Sequence, residues 1–176
     1  EPMSADGPLE RRLILLRHAK AKKSGPSDHE RELAERGHQD ATEVGRRMHT
    51  AGLRPQRAKV STSLRTRQTW QLVAAELESP PKEELESAIY DNEVEGLLEL
   101  VRATPDDIGS LLIVGHNPSI EELAGQLDDA RGDPVIRHRM ADGFPTSGYA
   151  VLTTSDSWRA VGPGTLRLES FVTPRG

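Results

Sequence analysis

Short apolar runs alternate with longer stretches of helical spacing along this chain. That alternation predicts an α/β fold, a three-layer α/β/α sandwich with a mostly parallel central sheet. Two further observations support it. Leu13–Leu16 and Leu111–Val114 are apolar at every position, as strands covered on both faces must be. Near the end of the chain, Tyr149–Thr153 and Thr165–Val172 change character and alternate, as strands of an antiparallel edge do.

The elements follow in order. Leu13–Leu16 is the first strand, and Glu1 to Arg12 before it is polar and expected to be a flexible segment. Lys20 to Asp28, with Gly25-Pro26, reads as a loop. Leu33, Ala41, Val44 and Met48 recur at helical spacing, and Gly52 marks the stop. Ala58–Ser61 is a second strand, running into the hydroxyl cluster Ser61-Thr62-Ser63. Ser63 stands where it can cap a helix from Leu64 to Leu77, which Pro80-Pro81 ends. A short strand is expected near Ala88–Tyr90, then a helix from Val94 to Ala103. Leu111–Val114 runs straight into Gly115-His116, and Ser119-Ile120-Glu121-Glu122 has the form of a capping box, so a helix begins just past His116. Residues 13–176 are expected to form one domain, since 176 residues suit a single substantial core.

Composition removes several classes of function. The formal net charge of -5 and an aromatic content of 3% disfavour non-specific nucleic-acid binding. Cysteine is absent, which excludes disulfides, thiolate metal sites and a cysteine nucleophile. No apolar stretch approaches the length of a membrane span. These features point to a cytoplasmic protein with no membrane or nucleic-acid partner.

Chemistry concentrates at strand ends. Arg17-His18, Ser61 to Arg65 and His116-Asn117 each follow the carboxyl end of an expected strand, and three such ends of one parallel sheet converge on one edge. A guanidinium fork binds two oxygens of a phosphoryl group at once, which makes Arg17 and Arg65 natural clamps. A neutral imidazole attacks phosphorus through one nitrogen while the other holds a hydrogen bond, and His18 is placed for that role. His116 supplies a second imidazole that donates to a phosphoryl oxygen, best when protonated. Asn117 can orient His116 and contribute to substrate binding. With this much positive charge no metal or other cofactor is required. The nearby serines Ser61 and Ser63 read as turn and cap residues. Lys20, Lys22 and Lys23 read as a solvated loop or as a guide for anionic substrates. His29, His38 and His49 read as exposed.

Those motifs together resemble the histidine phosphatase superfamily, whose fold is that of phosphoglycerate mutase. The family's arginine-histidine pair stands as Arg17-His18, followed by Ala19 as in the SixA-like branch. The Ser-x-x-Leu-Arg-x-x-Gln-Thr element stands as Ser61, Leu64, Arg65, Gln68 and Thr69, and Val-Gly-His-Asn-Pro as Val114 to Pro118. Asp28, Arg31, Leu33, Arg36 and Gly37 also match the SixA-like pattern. The resemblance implies a phosphatase in which His18 is transiently phosphorylated and Arg17, Arg65 and His116 bind the phosphoryl group.

One departure bears on the substrate. Many members of the superfamily carry an acidic proton donor in an insert after the third strand, but Leu77 to Leu111 is too short for a large helical lid. Asp91 and Glu93 are the candidate donors that remain. An open site favours a phosphoryl group presented on a protein. Phosphohistidine also demands less of a general acid than an alkyl phosphate does. The leading expectation is a protein phosphohistidine phosphatase. A phosphomonoesterase for a small metabolite or nucleotide, and a regulatory phosphate-binding module, are the alternatives.

Overall fold

A computed structural model describes residues 10–175. The elements run β1 (Arg11–Arg17), α1 (Glu35–Thr50), β2 (Arg57–Ser61), α2 (Leu64–Ala74), β3 (Glu83–Glu86), a single turn α3 (Ser87–Tyr90), α4 (Val94–Arg102), β4 (Ser110–Gly115), α5 (Ser119–Leu127), α6 (Pro134–Asp142), β5 (Tyr149–Thr154) and β6 (Arg167–Val172). The six strands form a sheet in the order β3-β2-β4-β1-β5-β6. Pairing is parallel from β3 through β2 and β4 to β1, and antiparallel at β5 and β6.

Period-two alternation explains why the central strands are apolar throughout. Leu13, Leu15, Leu111 and Ile113 point to one side, where they pack with Leu97, Val101, Ile120 and Leu123 of α4 and α5. Ile14, Leu16, Leu112 and Val114 point to the other, against Val44 and Met48 of α1 and Trp70 and Val73 of α2. Each of these buried side chains contributes roughly 1.5–3 kcal/mol relative to exposure. The sandwich has no large helical lid, and among the described residues no helix is long and apolar enough to cross a membrane.

Several boundaries differ from the sequence expectation. β1 begins at Arg11, so Arg11 and Arg12 belong to the sheet rather than to a flexible segment; residues 1–9 lie outside the described residues. α1 begins at Glu35 because Leu33 is engaged in a bridge with Ala21. The strand expected near Ala88–Tyr90 lies at Glu83–Glu86 instead. This edge strand is charged, and Glu84 and Glu86 are met across the strand pair by Arg57 and Lys59 of β2. The apolar Ile89 is buried from the helical turn that follows. Ser63 does occupy the cap position of α2, but its hydroxyl pairs with Thr66 Oγ1 at 2.7 Å rather than with a backbone N–H. The capping box at Ser119 does not form. Ser119 Oγ donates to the His116 carbonyl, while Asn117 Oδ1 accepts from the Glu121 N–H.

Candidate active site

The carboxyl ends of β1, β2 and β4 lie side by side and set the site. Arg17 and His18 leave β1, and the His18 N–H donates to the Gly115 carbonyl of β4 at 3.0 Å. His116 follows Gly115 directly, and Arg65 sits in the first turn of α2, just beyond β2. Arg17, His18, Arg65, His116 and Asn117 line one cavity of about 410 Å³. Five residues singled out in the sequence are thus brought together. Asp91 and Glu93 are not among those lining the cavity. Both are exposed, with Asp91 at the end of α3 and Glu93 at the cap of α4, while Tyr90 and Asn92 beside them do line it.

The two imidazoles are oriented differently. His18 Nδ1 lies 2.7 Å from the Ala19 carbonyl, which can only accept, so Nδ1 carries the proton and Nε2 keeps its lone pair. Burial disfavours the imidazolium, and Arg65, Arg17 and Arg31 reinforce this against the pull of the Ala19 carbonyl, which lowers the His18 pKa to about 4. The His116 ring centre lies 5.4 Å away. Its Nδ1 is 3.5 Å from an Arg65 guanidinium nitrogen, which can only donate, so Nε2 holds the proton and donates to Ser61 Oγ at 2.8 Å. Burial, the neighbouring His18 and Arg65 hold His116 down to about 3. The sequence reading had His116 acting best when protonated; the structure keeps it neutral near neutral pH.

Asp28 organises the cations. Arg65 donates to its carbonyl at 2.8 Å and to its carboxylate at 3.3 Å, and Arg31 donates to the carboxylate at 3.1 Å. The Tyr90 hydroxyl donates to the same carboxylate at 2.6 Å. That hydrogen bond, with help from Arg65 and Arg31, lowers the Asp28 pKa to about 2. Arg17 donates to the Phe144 carbonyl at 2.9 Å. Among the described residues, the Nε groups of Arg17 and Arg65 are buried without a hydrogen-bond partner.

Comparison with known proteins gives the family and the fold. A sequence model of the histidine phosphatase superfamily (branch 1) matches residues 13–89. An uncharacterised protein of Mycobacterium tuberculosis is 33% identical over 162 residues, which span 91% of this chain and 100% of that one. The structure of the proposed phosphohistidine phosphatase SixA from Agrobacterium tumefaciens is 30% identical, with a TM-score of 0.78, and the match covers 93% of this chain and 98% of that one. This chain belongs to the histidine phosphatase superfamily. Within it the protein is SixA-like: it superimposes with a TM-score of 0.83 on a second proposed SixA, from Nakamurella multipartitia, at 27% identity over 97% of this chain and 100% of that one.

Other residues of this histidine phosphatase build the site in roles that the sequence does not spell out. Ser61 accepts from His116 and is fully buried, although it reads as a turn residue. Asp28 and Arg31 stand out only through the family pattern, and Tyr90 carries no signal. Asn92, in the left-handed region at φ 63, accepts from the Ser119 N–H and donates to the Asn117 carbonyl. Asn117 itself donates to the Phe144 carbonyl and to Glu121, so it holds the loop to α5 rather than the His116 ring. His29 is half-buried, 2.9 Å from Thr62 Oγ1, rather than exposed. Gln68 and Thr69 pin the loop after β1: Thr69 Oγ1 accepts from the Ala19 N–H and Gln68 from the Leu33 N–H.

Proposed function

We propose that this histidine phosphatase hydrolyses phosphohistidine on a protein, with His18 as the nucleophile. The observation that carries the reading is the setting of His18, whose Nδ1–H is committed to Ala19 while the ring lines a pocket shared with Arg17, Arg65 and His116. In the first step His18 Nε2 forms a bond to phosphorus as the bond to the substrate imidazole breaks, and that imidazole leaves with a proton taken from solvent. Arg17 and Arg65 hold the phosphoryl oxygens, His116 turns its Nδ1 toward the Arg65 guanidinium and so helps to orient that clamp, and Asn117 supports the substrate-binding loop. Water then attacks the phosphorus, phosphate departs and His18 regains its lone pair. Electrostatics of this kind do most of the work in phosphoryl transfer, and losing Arg17 or Arg65 should cost on the order of 10²–10³ in rate.

The choice of phosphohistidine rests on the leaving group. Among the residues lining the pocket Asp28 is the sole carboxylic acid, and at a pKa of about 2 it is ionised at neutral pH. An alkoxide leaves poorly from such a pocket, whereas an imidazole protonated from water leaves readily. The open mouth and the likeness to the two SixA structures support the same class. A small phosphomonoester is the second reading, favoured by a cavity of about 410 Å³, a size that suits small-molecule sites. Comparing kcat/KM for phosphohistidine proteins and a panel of metabolite phosphates separates the two.

The nucleophile is tested by His18→Ala, which should abolish turnover. Rapid quench of the native enzyme with labelled substrate should trap an acid-labile, alkali-stable phosphate on His18. Near-normal activity in the variant, or label that stays off His18, rejects the mechanism.

A further inference from the structure

A loop joined to the pocket through Arg31 carries charge that the chemistry does not use. In a chain of formal charge -5, the β1–α1 loop presents Lys20, Lys22 and Lys23, all exposed. Among the described residues Lys22 has one carboxylate in range, Glu32 at 4.0 Å, and Lys20 and Lys23 have none. The loop is braced. Lys22 N–H donates to the Glu32 carbonyl at 2.8 Å, the Arg31 guanidinium donates to the Lys22 carbonyl at 2.8 Å, and Ala21 bridges to Leu33. Arg31 therefore ties the lysine loop to the site it also lines. Lys23 lines a shallow cavity of about 320 Å³ that shares Asp28 and Arg31 with the active pocket. Beside the pocket residues Tyr90 and Asn92 the sign is opposite, since Asp91 and Glu93 are exposed there.

A phosphorylated substrate confined to the pocket of about 410 Å³ does not extend over the loop. A protein does. We infer that the Lys20–Lys23 loop is the docking edge for an acidic face of the phosphorylated protein, its lysines meeting carboxylates that flank the phosphorylated side chain. This inference rests on the protein-substrate reading above. Exposed cations of this kind add little affinity one by one, but together they orient an incoming partner and raise its association rate, and salt weakens them.

The probes are two synthetic peptides of one sequence, each with a single phosphohistidine, flanked by three glutamates in one and three lysines in the other. At low ionic strength the glutamate-flanked peptide should be turned over with kcat/KM about 10-fold higher, and near-molar salt should erase the preference. Lys20→Glu, Lys22→Glu and Lys23→Glu together should abolish or invert it, while turnover of the phosphoramidate ion stays within about 2-fold. Equal kcat/KM for the two peptides, or a preference that survives charge reversal, overturns the inference. Binding of the same peptides, and of matched phosphoserine peptides, to the His18→Ala protein by fluorescence anisotropy needs no turnover. If phosphohistidine is not hydrolysed the substrate reading fails, and the glutamate-over-lysine ratio of dissociation constants still decides the role of the loop.

Discussion

At Asp28 two guanidinium groups, a phenol and a carboxylate meet within hydrogen-bonding distance, and the position of Arg65 depends on them. Ser61 plays the comparable part for His116. Removing its hydroxyl leaves the buried Nε2–H without an acceptor, a loss of about 1–3 kcal/mol. Ser61→Ala should therefore lower kcat about 10-fold and change the pH profile, whereas Ser61→Thr should restore much of the rate. The native profile follows from His18. With its pKa at about 4, the proposed nucleophile is already neutral at mildly acid pH, so phosphorylation of the enzyme should hold level from neutral pH downward and fall off only as pH approaches about 4. A steady-state or quench measurement in which this step dropped near pH 6.5 would contradict that. Arg17, His18, Arg65 and His116 are legible in the sequence because polar groups at the ends of apolar runs are conspicuous. Asp28 and Ser61 are legible only through the family pattern, and Tyr90 not at all, because each acts on a partner distant in the chain.

At the scale of elements, the helices are braced against the loops that carry the site. Gly37 of α1 lies so close to the Lys20 carbonyl that an added Cβ would collide with it, and Lys20 O also accepts from the Ala34 N–H. Gly37→Ala should cost roughly 1–3 kcal/mol in chemical denaturation, and it should slow turnover because the displaced carbonyl is two residues from His18. An unchanged denaturation midpoint would show that the loop yields freely. The buried strands and α1 are readable from periodicity, and α2 from the cap position of Ser63 and the Pro80-Pro81 stop. β3 is not, since its Glu-Glu-Leu-Glu sequence finds its partners only on β2. α6 is absent from the sequence reading although its signals are present: Asp133 Oδ1 accepts from the Val135 N–H, and Pro134 takes the first helical position.

For the molecule as a whole, the site is also a liability in acid. His18 and His116 sit below their ordinary value of 6.5 in the folded protein, so the unfolded chain takes up protons first as pH falls. Stability from these groups is full above about 6.5 and drains away as pH falls toward about 3, and protonation of Asp28 removes more as pH falls from about 3.8 toward about 2. Urea midpoints should accordingly decline from pH 7 to pH 4.5, and the slope should flatten in the His18→Ala/His116→Ala double variant. An equally steep decline in that variant would place the linkage elsewhere. The fold class was legible because both faces of the central strands are apolar, but the strand order was not, since it depends on pairings remote in the chain.

That order has a consequence for biosynthesis. β1 lies between β4 and β5, with Arg17 beside Gly115 and Leu16 beside Tyr149. A nascent chain therefore exposes His18, the proposed nucleophile, early and acquires the pocket around it late, after β4 and then β5 have emerged. Such long-range closures are slow steps in folding. Phosphatase activity in a growing or truncated chain thus reports completion of the sheet, and a fragment ending before residue 149 should carry His18 as an inert imidazole.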